Sequence, residues 1–218
     1  MPNNKATLET CDTYLYHSGG LVNWLTEIAH VVVSLVSVTD GIVLDLGCGS
    51  GAHFPYYKQG QKVIAVDFDS VMLERASSNT KDSIQLVQAD ITKGLPLEDN
   101  SIDFCIASGV LEHLPDMQDT VSELKRVLKP KGSLVVMQVS EGLAYKIGRK
   151  FTTARNLKRQ GIDYYKYIAT EHIYTTGEVL NLLDKTFTRK LTIGVPSILP
   201  EQNINAYVVV KYIKEVVN

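Results

Sequence analysis

Cysteine is scarce: Cys11, Cys48 and Cys105 are the only three in 218 residues, with no CxxC pair and no histidine at metal-ligand spacing. So small and dispersed a set excludes a disulfide framework or zinc ribbon; no metal is expected, and a reduced, cytoplasmic protein is. Charge of one sign is also lacking. The formal net charge is -2, which provides neither the basic field that nucleic acid requires nor a long anionic tail. No apolar run is long enough to cross a bilayer, because "LVNWLTEIAHVVVSLVSV" is interrupted by Glu27 and His30. The opening "MPNNKATLET" is polar, without the charged-then-apolar layout of a signal peptide. Repeats and low-complexity tracts are absent, and 44% hydrophobic content is enough for the core of one domain.

What the chain does contain is a regular alternation. Leu21, Trp24, Leu25, Ile28, Val32, Leu35 and Val36 recur at the spacing of one helix face, which predicts a soluble helix. From Asp40-Gly41 onward, "GIVLDLGC", "KVIAVDF", "SIQLVQAD", "IDFCIASG" and "GSLVVMQV" are near-continuous apolar runs of strand length, as expected of parallel strands covered on both faces. Helical segments are expected between them at 51–58, 70–79 and 119–128. A further helix at 176–185 and two terminal strands, "RKLTIGV" and "AYVVVKYI", follow. Strand and helix in alternation imply an α/β open sheet.

Such a sheet binds ligands beyond the carboxyl ends of its strands, where its topology reverses. Gly47, Gly49 and Gly51 of "VLDLGCGSGAHFPYY" fall there, after the first strand. A dinucleotide fingerprint is formally satisfied by Gly47, Gly49 and Ala52, with Asp67 placed for a ribose. Against it stands Asp45, whose charge opposes a pyrophosphate and favours a cationic ligand.

"VLDLGCGSG" resembles the DxGxGxG motif of the class I S-adenosylmethionine-dependent methyltransferases. "VIAVDFD", "VQADI", "LPLEDNSIDFCIASGVLEHLPD" and "ELKRVLKPKGSLVVM" are similar to the segments that follow it in that family, in the same order. The resemblance covers roughly 42–139. It implies a Rossmann-like, seven-stranded, mostly parallel sheet with helices on both faces and the last strand antiparallel. It further implies methyl transfer from S-adenosylmethionine, leaving S-adenosylhomocysteine, to a small-molecule acceptor. Carried over by position, Asp67 takes both ribose hydroxyls and Phe68 lies along the adenosine. Asp90 accepts the adenine amino group and the Ile91 amide faces the ring. Gly47, Gly49 and Gly51, with Cys48 as a small loop residue rather than a nucleophile, admit the methionine part. Asp45, Ser108 and Gly109 surround its ammonium, and His113 is the candidate general base.

One domain is expected over 1–218. It comprises an N-terminal helical lid (1–40), a cofactor-binding core (41–139), an acceptor cover (140–175), and a C-terminal helix with two strands (176–218). In the lid, Tyr14, Tyr16 and His17 precede the Gly19-Gly20 hinge, and Tyr16 is expected against the cofactor. The cover holds Lys146, Arg149, Lys150, Arg155, Lys158, Arg159 and Lys166 against Glu141 and Asp163, interleaved with Tyr145, Tyr164, Tyr165 and Tyr167. An acidic or aromatic acceptor is one reading of that excess; a solvated face is the other. His172 is expected to brace the helix whose capping box is "TTGE". The fourth strand is not followed by the Asn/Asp-Pro-Pro-aromatic tetrapeptide that grips planar exocyclic nitrogens, so DNA is not an expected partner. A nicotinamide oxidoreductase and a non-catalytic adenosine-cofactor-binding protein are the alternatives.

Overall fold

The computed structural model describes residues 21–37, 40–143, 145–147, 158 and 172–216. Tyr16, the lid hinge and most of the cover lie outside these residues. The elements in chain order are α1 (Leu21–Val36), β1 (Val43–Leu46), β2 (Val63–Asp67), α2 (Ser70–Ser77), β3 (Ile84–Gln88), β4 (Ile102–Ser108), α3 (Met117–Val127), β5 (Leu128–Val139), α4 (Thr176–Thr186), β6 (Thr188–Val195) and β7 (Tyr207–Ile213). The strands form one sheet ordered β3-β2-β1-β4-β5-β7-β6. β1 to β5 are parallel, and β7 inserts antiparallel between β5 and β6. The expected Rossmann-like sheet with its last strand reversed is therefore present. Its order runs outward from β1 in both directions, which puts the crevice over the ends of β1 and β4.

Side chains alternate across each strand, so the central strands feed two cores. Leu44, Leu46, Cys105, Ala107, Leu134, Val136, Val208 and Val210 pack beneath α3 and α4, with Val121, Leu124, Val179 and Leu183. Val43, Phe104, Ile106, Val135, Met137 and Val209 pack beneath α1 and α2, with Ala29, Val33, Leu73 and Ala76. Helices thus cover both faces, and the strands are apolar on both sides. No helix among the described residues is long and apolar enough to cross a membrane.

Two expectations need correction. Residues 51–58 form no helix beyond the single 3-10 turn Phe54–Tyr56. Gly51 has φ +83° and Pro55 stands in the first turn, so neither side of the segment can propagate an i to i+4 ladder. In α1 the buried side is the polar and small-residue line Thr26, Ala29, His30 and Val33, whereas Leu21, Trp24 and Leu35 are more than half exposed. Small residues let α1 approach the sheet closely, and its buried polar groups find partners there. Thr26 Oγ1 lies 2.7 Å from the Tyr207 hydroxyl, and His30 Nδ1 lies 2.8 Å from His53 Nδ1.

The histidine contact requires one ring to donate and the other to accept, so it exists only while at least one imidazole is neutral. Burial lowers His30 to about 4; burial, and then the neighbouring His30, lowers His53 to about 3. Both folded values lie below the unfolded value near 6.5, so the unfolded chain takes up protons that the folded chain refuses as pH falls. The pair's contribution is intact above about pH 6.5 and is lost progressively below it. Between pH 7 and pH 4.5, wild type is expected to lose about 2–5 kcal/mol more unfolding free energy than the double variant His30→Leu/His53→Leu. Urea titrations at the two pH values measure this, and parallel losses would show that the pair is not held neutral.

Candidate functional site

The three glycines of the loop after β1 are required for different reasons. All have positive φ, at +65° for Gly47, +53° for Gly49 and +83° for Gly51. A Cβ on Gly47 would lie 2.5 Å from the Val110 side chain, and one on Gly51 would lie 2.7 Å from the Phe54 ring. Those two are packing glycines. A Cβ on Gly49 would meet nothing within 4 Å, so Gly49 is the point where the backbone faces open space at the sheet edge.

The loop is held to the neighbouring strand by backbone and by one carboxylate. The amides of Gly47 and Cys48 both donate to the Val66 carbonyl, at 2.8 and 3.0 Å. Gly49 N donates to Asp67 Oδ2 and Asp69 N to Asp67 Oδ1, each at 2.9 Å. Burial pushes the Asp67 carboxyl up, and the two amides oppose it. Capping of α2 falls to Asp69, whose Oδ1 accepts Val71 N at 2.8 Å. Each Asp67 oxygen keeps acceptor capacity beyond the amide it already binds, since an ionised carboxylate has about four lone-pair sites. Next to it, the Phe68 ring is 61% exposed at the same edge.

Asp45 alternates with Val43 and so faces the α1 and α2 side. It is 2% exposed and accepts the Tyr57 hydroxyl on Oδ2 at 2.8 Å. Burial raises its carboxyl to about 7; the Tyr57 hydrogen bond pulls it down and the charge of Asp67 pushes it further up. Cys48 is buried as well, and its thiol is pushed far up by burial and by Asp45 and Asp67. That is the reverse of what activates a nucleophilic cysteine.

At the end of β3, Asp90 caps a 3-10 turn, Ile91–Lys93. Its Oδ1 accepts Thr92 N at 3.0 Å and Thr92 Oγ1 at 2.6 Å, and its Oδ2 is 3.1 Å from Lys93 Nζ. The Thr92 hydroxyl is the leading reason that its carboxyl is lowered. The Ile91 side chain is buried in the core beneath α3. The Ala89 amide donates to the Asp67 carbonyl at 3.0 Å, which keeps this turn beside β2.

Past β4, Gly109 has φ +62° and donates its amide to the Met137 carbonyl at 2.9 Å, while Ser108 Oγ is 3.7 Å from Met137 Sδ. The next turn, Leu111–His113, buries Glu112 to 3% exposure. Burial pushes the Glu112 carboxyl up, against the charge of His113. The Glu112 backbone carbonyl accepts Ile173 N at 2.8 Å and Tyr174 N at 3.2 Å. This pins the segment before α4 here, and the His113 and His172 rings meet edge to face with centroids 4.8 Å apart. The capping box expected in "TTGE" is present at Thr175 and Glu178.

The predicted residues of the ends of β1, β2 and β4 thus share one edge. Two couplings were not read from the sequence: Tyr57 with Asp45, and His172 with Glu112 and His113. No short-range spacing could have signalled the second, because its partners lie on separate connections.

Residues 44–136 match the methyltransferase domain family. The chain is 44% identical over 82 residues to a demethylmenaquinone methyltransferase of Staphylococcus saprophyticus, covering 37% of this chain and 35% of that one. It is 32% identical over 134 residues to a malonyl-[acyl-carrier protein] O-methyltransferase of Yersinia pestis, covering 58% and 48%. The chain therefore spans half or less of these curated relatives. In fold it is like the N-methyltransferase NodS of Bradyrhizobium japonicum, solved with S-adenosylhomocysteine, at a TM-score of 0.65 and 18% identity over 97% of this chain and 98% of that one. The motif order, the glycine loop at the sheet edge and the domain match agree on a methyltransferase domain over residues 44–136, set in the fold that S-adenosylmethionine-dependent methyltransferases share.

Proposed function

We propose that this protein binds S-adenosylmethionine at the β1–β2 edge and transfers its methyl group to a small-molecule acceptor. The observation that carries the reading is the Asp67 to Gly49 hydrogen bond. It sets a carboxylate with spare acceptor capacity next to a backbone that faces open space. Asp67 fits a pair of ribose hydroxyls, and the exposed Phe68 ring offers an apolar surface for the adenosine. Gly49 leaves room for the methionine portion, Gly47 and Gly51 let the loop pack tightly behind it, and Ser108 and Gly109 close its other side. Asp90 and Ile91 are assigned the adenine end, where Asp90 is already engaged by Thr92 and Lys93. When bound, the cofactor supplies a methyl group on a sulfonium, which is a good leaving group. The protein's task is then alignment of the acceptor and exclusion of water.

The acceptor is assigned as a small molecule, acidic or aromatic in character. The relatives named for demethylmenaquinone and for malonyl-[acyl-carrier protein] support an acceptor other than nucleic acid. The excess of lysine, arginine and tyrosine over 141–172 points the same way.

Two outcomes are expected. Calorimetry with S-adenosylhomocysteine should give saturable binding that NAD does not reproduce, and Asp67→Ala should weaken it by about 1.5–3 kcal/mol, the scale for hydrogen bonds to a charged group. An unchanged affinity in the folded variant would remove Asp67 from the site. The second concerns Asp45, which the free protein holds at about 7. A bound cation favours its ionised form, so binding of S-adenosylmethionine should release a proton and tighten as pH rises from 5.5 to 7.5. Heats in phosphate and Tris buffers measure that proton, and Asp45→Asn should abolish the release. Identical heats after buffer correction in wild type would detach Asp45 from the ligand.

A further inference from the structure

We propose that Glu112, His113 and His172 hold one divalent transition-metal ion at the acceptor side of the site, an inference that rests on the methyl-transfer reading above. Their ligand atoms, one carboxylate oxygen and two imidazole nitrogens, all lie within 4.8 Å of one another. An ion about 2.0–2.2 Å from each donor needs donors about 3.3–3.5 Å apart, so closure takes small rotations of the two half-buried imidazoles. The cluster is held in place by backbone, through the Ile173 and Tyr174 amides on the Glu112 carbonyl.

An independent observation points to a ligand. Glu112 is 3% exposed, and its Oε2 has no hydrogen-bond partner. A buried carboxylate oxygen left in that state costs several kcal/mol unless a cation or donor meets it. Beside it, Gln138 is 1% exposed and moderates the rise of the Glu112 carboxyl, yet neither of its amide atoms reaches a partner in hydrogen-bond geometry. Polar groups left this way in a packed interior mark a place completed by something else.

Two imidazoles and one carboxylate form a donor set for Zn²⁺, Fe²⁺, Mn²⁺ or Co²⁺, with coordination positions left over. The cluster adjoins the glycine loop: the turn that bears Glu112 places Val110 against Gly47, and Glu112 Oε1 lies 4.0 Å from where a Gly109 Cβ would be. A leftover position there suits an acceptor bearing oxygen donors, such as a phenol or enol. Metal ligation lowers the pKa of that hydroxyl, and its proton leaves to water. The oxygen then forms the new C–O bond as the C–S bond breaks, and the bonding pair returns to sulfur. His113 is in this account a ligand rather than a free base.

The test uses the full chain, stripped with chelator and titrated with Co²⁺ alone, with S-adenosylhomocysteine affinity measured on the same samples. Wild type should bind one equivalent and develop visible d–d absorption of an N/O-ligated ion. His172→Ala and Glu112→Gln should each weaken Co²⁺ binding about a hundredfold, with S-adenosylhomocysteine affinity unchanged. His172 is partly exposed, so its variant tests the site without disturbing the core. No saturable Co²⁺ binding by a protein that still binds S-adenosylhomocysteine would overturn the metal site alone, as would Co²⁺ binding that both variants retain. Stoichiometric, His172-dependent Co²⁺ binding without S-adenosylhomocysteine binding would uphold the metal site and sink the cofactor reading instead.

Discussion

The hydrogen bond from the Gly49 amide to the Asp67 carboxylate is the constraint on which the ligand edge depends. It joins the loop after β1 to the end of β2, and the second Asp67 oxygen takes the Asp69 amide that opens α2. One side chain therefore sets the height of the glycine loop, the start of a helix and the direction of the strand end between them. The carboxylate remains only 8% exposed, and its desolvation is offset by two backbone donors rather than by a cation. Such an arrangement stabilises the carboxylate without using up its acceptor sites, which a lysine or arginine partner would also have neutralised.

The same edge concentrates ionisable groups that burial has displaced. Asp45, Asp67 and Glu112 are all held above the ordinary carboxylate range, chiefly by loss of water. Burial disfavours the ionised forms of all three carboxyls, and an arriving cation offsets that effect. On the opposite side of the glycine loop, His30 and His53 form the complementary case. There two bases are kept neutral so that α1 can lie directly on Phe54 and Tyr57 without placing a charge in the core. Asp45 reaches this layer through the Tyr57 hydroxyl, so the loop is anchored from below by the packing that holds α1.

Much of the fold was legible because its signals are local. Runs such as "VIAVD" and "VVM" between turn residues are the doubly covered strands expected of them, and Thr175 caps its helix through the capping box read in "TTGE". A helix was expected over 51–58 from its place between two strands, but positive φ at Gly51 and the ring of Pro55 decide the backbone there. In α1, the apolar spacing was sound for a helix: Leu25, Ile28, Val32 and Val36 pack half-buried against the core, while Leu21, Trp24 and Leu35 at its margin stay exposed. What selects the buried face is a set of paired polar groups, Thr26 with Tyr207 and His30 with His53, whose partners are remote in sequence. The candidate site divides in the same way. Gly49 and Asp67 announce themselves by motif, whereas the burial of Asp45 against Tyr57 depends on how far the loop folds back.

The acceptor side differs from the cofactor side in how it is built. Gly49 and Asp67 sit on the loop after β1 and at the end of β2, so their geometry is inherited from the parallel ladder. His172 belongs to a different connection and arrives through backbone contacts alone, as two amides of the segment before α4 close on the single carbonyl of Glu112. That attachment survives substitution of nearly any side chain around it, because it uses no side chain. Glu112 faces the reverse constraint: buried and unsatisfied at Oε2, it gains nothing from packing and is tolerable only where a partner repays its desolvation.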